Sequence, residues 1–220
     1  LKKTGLIKTF SLLGICAALF DIPIISIIGL LRPHYSGIER FASALGITGK
    51  PYAMIISGWW ILYGTMIVLL SLGLWWTTGK RSKFWWVGPL LIMIFGAFDG
   101  MGSGVFPCDP GCAGETLVGK IHHVVSTVGT SALLPAPFFM WLAWRHEPTW
   151  ESFRPFTVVI QAVGALLFIA LVLNKSEVVS AHFGKIGGLL QRMFYFVYYV
   201  WFIVLGLKLF RSVRDDTGHR

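Results

Sequence analysis

Six apolar runs separated by short polar stretches set the pattern of this chain. They cover roughly 6–31, 53–76, 84–105, 118–144, 156–173 and 189–210. About 20 apolar residues cross a hydrocarbon core as a helix. Lipid offers no water to open backbone groups, and these runs are too long for strands, so each is predicted to be a transmembrane helix. Pro135 and Pro137 predict a kink in the fourth. Asp21 and Pro23 fall in the outer part of the first. Gly96, Gly100 and Gly104 are four apart and give the third a smooth face for close helix approach. No repeat, low-complexity segment or long linker divides the chain. The expectation is an all-α integral membrane protein, with 1–220 as a single polytopic domain.

One polar stretch carries a pattern of its own. Ser36-Gly37-Ile38-Glu39 has the form of a capping box. Ile38, Phe41, Ala42 and Leu45 then share one helical face, and Gly46 is a natural stop. A short amphipathic helix over about 37–45 is predicted on the outer surface, as a structural lid or floating at the interface.

Composition agrees. Only 13% of residues are charged, against roughly 25% in soluble domains. The net charge of +9 sits mostly in loops between apolar runs. It therefore reads as topology signalling and contact with anionic lipid, not nucleic acid. One set of span ends carries Lys2, Lys3, Lys8, Lys80, Arg81, Lys83, Arg145, Arg154, Lys208, Arg211 and Arg214. The other carries Arg32, Arg40, Lys50, Lys120, Lys175, Lys185 and Arg192. The first set is larger and more clustered, which predicts both termini in the cytoplasm. Trp75, Trp76, Trp85, Trp86, Trp141, Trp144 and Trp150 mark the same ends as an interfacial belt. The loops at about 32–52, 106–117 and 174–188 then face outside. The basic, apolar start resembles a signal peptide, but its run is too long and lacks a small-residue cleavage site, so it reads as a retained first span.

Cys16 lies in an apolar run and reads as a small buried hydrophobe. Cys108 and Cys112 frame C-D-P-G-C, a Pro-Gly turn that can bring two thiols together. In an oxidising compartment they pair as a structural disulfide; the alternatives are free thiols or a metal. Ionisable groups in a span need a reason. Asp99 lies in the outer half of the third span, and His122 and His123 at the outer end of the fourth. Asp109 and Glu115 occupy the turn between them, and Lys120 snorkels outward near the helix start. A short turn makes these spans antiparallel neighbours, which puts Asp99 near the depth of His122 to Ser126. Asp21 and Arg192 reach a similar depth. Together Asp21, Asp99, His122, His123 and Arg192 outline a polar pocket open to the outside. Consecutive histidines point about 100° apart, so both do not readily hold one metal. Asp99 and His122 are the weak metal candidates. The plain reading is ion pairing or hydrogen bonding that fixes helix packing. Gln161, Ser57, Tyr63 and Thr65 read as interhelical glue, and Tyr195, Tyr198 and Tyr199 as packing and interface residues.

The segments HYSGIERFASALGITGKPYA, GSGVFPCDPGCAG, IHHVVS and GGLLQRMFY occur in this order, separated by apolar spans. In that order the chain resembles the bacterial and archaeal membrane family catalogued as domain of unknown function 998, over roughly 30–210. The resemblance implies a six-helix membrane bundle and motif positions, but no activity, and it does not cover the CDPGC cysteines.

Three functions compete. The first is a non-catalytic binding or accessory component, whose outer pocket holds a lipid headgroup or small ligand or docks a membrane protein partner. The second is an intramembrane metal-dependent lipid hydrolase, which needs more histidines on separate spans than occur here. The third is a small-solute transporter using Asp21, Asp99 and Arg192. No catalytic residue and no cofactor is assigned; the expected partner is membrane lipid, and the expected setting a prokaryotic plasma membrane.

Overall fold

The protein is described by a computed structural model, which covers residues 3–78 and 82–215. Lys2, Lys80 and Arg81, three of the topology marks, lie outside the described residues. Among the described residues there is no strand, and six helices are long and apolar enough to cross a membrane. They are α1 (Lys3–Leu31), α2 (Ala53–Thr77), α3 (Val87–Val105), α4 (Leu117–Leu133) continued by α5 (Ala136–Trp144), α6 (Arg154–Leu173) and α8 (Gly187–Asp215). Leu30, Met54, Leu117 and Leu166 stand exposed on the bundle exterior, where lipid takes the place of a protein core. The chain is an all-α integral membrane protein. Cys16, expected inside, is exposed: its turn of α1 faces out of the bundle.

Helix α1 packs between α8 and α2, α2 on α3, and α3 on α4 and α5. Glycines set the closest of these approaches. A side chain at Gly64 would strike the Gly96 carbonyl and the Met101 amide, and one at Gly100 would strike Gly64 itself. Helix α1 runs unbroken through Pro23. The irregular winding is in α3, where Phe95–Gly102 forms a π-helix.

The proline kink separates α4 from α5. It frees backbone groups that lipid cannot satisfy, and two neighbouring helices satisfy them. Phe138 N–H donates to Gln161 Oε1 on α6 at 3.1 Å, and Tyr198 OH on α8 donates to the Leu134 carbonyl at 3.1 Å. Below the kink, α5 packs along α6; above it, α4 makes no sustained contact with α6 or α8. The bundle is thus closed at the end that carries the termini and splayed at the other, the loop end.

The loop end is capped. The expected helix over 37–45 is shorter and shifted: residues 36–40 form a turn, and Ala42–Gly46 is a single 3₁₀ stretch. Glu39 N–H donates to Ser36 Oγ at 3.3 Å, which is half of a capping box. The stretch is pulled inward because Ala42 and Leu45 pack against Ile25, Ile28, Ile56 and Trp60. Cationic side chains staple it down. Arg32 donates to the Ala44 carbonyl at 2.6 Å, and Arg192 to the Gly37 and Arg40 carbonyls at 2.7 and 3.1 Å. The stretch 174–188, expected as a loop, contains the short helix α7 (Glu177–Phe183).

Candidate functional site

The π-helix carries Asp99. Opening a helix by one residue per turn displaces a side chain from its regular stripe, and such segments recur at functional sites. Gly129 on α4 lets that helix pass against the Asp99 backbone. Asp99 accepts hydrogen bonds from Tyr195 OH at 3.0 Å and Thr130 Oγ1 at 3.2 Å. Asp21, 4% exposed, accepts from Trp59 Nε1 and Tyr199 OH, both at 2.8 Å. Tyr195 and Tyr199 are one turn apart and stack at 6.0 Å, so one face of α8 serves both acids. Every donor to these two carboxyls is neutral, and no basic side chain bonds either one among the described residues.

Asp21 and Asp99 line one small chamber of about 50 Å³ beneath the cap, with Tyr63, Trp60 and Arg192. A larger vestibule of about 320 Å³ adjoins it, lying between α4, α6 and α8. Ser43, Ser126, Gln191 and Tyr195 line both. Tyr63 is 2% exposed, and its hydroxyl makes no hydrogen bond of ordinary geometry, approaching only the Tyr199 hydroxyl. Tyr199 gives its own proton to Asp21. The Tyr63 oxygen therefore keeps its acceptor capacity, and it lines the chamber.

The other predicted residues fall into place around this centre. His122 is buried, and its Nδ1 meets the Phe106 carbonyl at 2.8 Å; His123 Nε2 meets the Cys112 carbonyl at 3.0 Å. Both rings hold the loop 106–116 while lining the vestibule. Asp99 lies at the deep edge of the expected range His122 to Ser126: it shares the chamber with Ser126, bonds to Thr130 and packs on Gly129, below the level of His122. The reason is a stagger: Phe106, at the end of α3, is already level with His122. Asp99 and His122 therefore engage separate partners, and no group of three or more metal-ligating side chains converges among the described residues. Arg192 lines the chamber, yet its guanidinium bonds to cap carbonyls and to Tyr35 OH, not to Asp21.

Cys108 and Cys112 form a disulfide across a Cα separation of 5.1 Å, within the usual span for such bridges. Asp109 accepts from Thr116 Oγ1 at 2.7 Å and Thr116 N–H at 2.8 Å. These bonds hold its carboxyl below the usual carboxylate range. Thr116 Oγ1 in turn accepts from Gly119 N–H at 3.1 Å and caps α4. Glu115 and Lys120 are exposed. Burial raises the Tyr35 phenol above its ordinary value.

Tyr63, Tyr195 and Tyr199 complete the chamber, while Trp59 and Thr130 donate to its acids; sequence reasoning did not assign these five to a site. One signal was available: Tyr195 and Tyr199 have i,i+4 spacing in an otherwise apolar span.

The family model described as Protein of unknown function (DUF998) matches residues 15–208. No curated protein and no solved structure matches the chain.

Proposed function

The chain belongs to the family described as Protein of unknown function (DUF998), so its role has to be read from its own geometry, and we propose that it binds the headgroup of a membrane lipid in the vestibule at its loop end. The loop end faces outside and both termini are cytoplasmic. One observation carries the reading: the vestibule lies where the kink parts α4 from α6. Phe168, Leu171 and Val172 form one wall, and Thr127, Thr130 and Ser131 the facing one. A site with an apolar wall, a polar wall and a flank open toward the bilayer suits a molecule that is half headgroup and half chain. A soluble ligand would not need the apolar flank.

The test is the lipid content of the purified protein. A phospholipid near one per chain is expected to survive detergent purification. Thr127→Trp, which fills the vestibule from an exposed position, is expected to lower that content at least fivefold without changing the melting temperature. Equal lipid in the two proteins would sink the proposal.

A further inference from the structure

The chamber beneath the vestibule poses a charge problem that names the ligand's inner group. It holds two carboxyls, Asp21 and Asp99, whose hydrogen bonds all come from neutral donors. Arg192 is the cation that lines the chamber, and its guanidinium bonds to the cap. In a site walled by Trp60, Tyr63 and Tyr195 the two carboxyls are costly to ionise without a further counter-charge. A bound cation would supply it, and aromatic faces add to the attraction.

Hydrogen bonding narrows the class. The chamber, about 50 Å³, is lined by acceptors, which suits an –NH₃⁺ group; a trimethylammonium group has no N–H to offer them. An ammonium brings three N–H donors. Acceptors wait for them on Asp99, on Asp21 and on the hydroxyl oxygen of Tyr63.

The vestibule above has the opposite character, with one formal charge on its wall, that of Lys175. Phe168 meets Phe194 beside Tyr195 at 5.8 Å, so it marks the level of the acid-binding tyrosines. Lys175 is seven residues further along, roughly 10 Å higher at helical rise, and its side chain can reach back over part of that distance. The site therefore has a negative floor and a positive rim.

We propose that the ligand is zwitterionic, with a primary ammonium seated between Asp99, Asp21 and Tyr63 and an anionic phosphate held near Lys175, as in a phosphoethanolamine headgroup. This rests on the lipid-headgroup reading above and adds the chemistry of the group.

Native mass spectrometry of the full chain tests it, with phosphatidylethanolamine, phosphatidylcholine or phosphatidylglycerol added at equal concentration. The ethanolamine lipid is expected to bind at least tenfold more tightly than the other two. Asp99→Asn and the near-isosteric Tyr63→Phe are each expected to reduce that preference severalfold. If all three lipids bind alike, or both variants keep the preference, the ammonium assignment fails while the headgroup reading stands. If no lipid binds, but glycerophosphoethanolamine does and Asp99→Asn weakens it, the source is a soluble molecule. In that case the ammonium chemistry holds and the headgroup reading fails. If neither binds, both are overturned.

Discussion

Asp109 shows how much a single residue in the loop 106–116 carries. Its carboxylate accepts twice from Thr116, and Thr116 caps α4 through Gly119. A side chain at Gly119 would strike the Asp109 carboxylate, so the close fit depends on glycine there. Because the folded pKa is depressed, the stabilisation is present above the unfolded value of about 3.9 and is lost as pH falls from there through the folded pKa. Amide protection at 116–120, corrected for intrinsic exchange, should therefore hold from neutral pH to about 4 and drop below it. Asp109→Asn should be weakly protected at pH 7 and show no acid step; a protection curve identical to the unsubstituted chain would remove Asp109 from this role. The turn itself was legible in C-D-P-G-C, and so was the presence of charged groups in spans. Their partners were not. Asp21 meets Tyr199 across 178 positions of sequence, and a tyrosine in an apolar span looks the same whether it packs or donates.

At the scale of elements, the proline kink does more than bend a helix. It parts α4 from α6, and the vestibule occupies the gap. The bend was legible from Pro135 and Pro137, and the spans from hydropathy, because both follow from local chemistry: a missing N–H and the need to match a bilayer. The repair of the kink was not legible, since Gln161 and Tyr198 act from other helices. Nor was the π-helix of α3, because its winding follows from packing against Gly64 and Gly129 and no residue type signals it. The outer helix was placed too early because a capping-box pattern describes isolated helix starts, whereas burial of Ala42 and Leu45 decided this segment. Removing the repair should be costly in a membrane, where water cannot take over. Gln161→Leu leaves the Phe138 N–H unpaired and is expected to cost about 1–3 kcal/mol. In detergent-solubilised protein this reads as a lower melting temperature. Gln161→Glu, which keeps the acceptor, should lose less; equal losses for the two would mean that the hydrogen bond is not what stabilises the kink.

The whole molecule is asymmetric from one end of the bundle to the other. The loop end holds the cap, the disulfide and the mouth of the vestibule. The other end holds the termini and the stacked pair Trp144 and Trp150, whose ring centroids lie 4.2 Å apart. Two loop-end cations, Arg32 and Arg192, donate to cap carbonyls. The larger and more clustered set of basic residues still lies at the terminal end, which favours that end for the cytoplasm. Cys108–Cys112 argues the same way, because a disulfide persists on an oxidising side. The two arguments are independent, one from charge and one from redox chemistry. Alkaline phosphatase fused after Lys175 should be active, and the same enzyme fused after Arg145 should be inactive. In intact cells an impermeant maleimide should label Cys108 and Cys112 only after an impermeant reductant has been added. The reverse pattern in both assays would place the cap in the cytoplasm, where thiols stay reduced. The Cys112 carbonyl would then lose the loop closure that sets it against His123, and the vestibule wall built on that contact would have no covalent brace. Orientation and disulfide are thus linked, and the labelling experiment tests both on the unmodified chain.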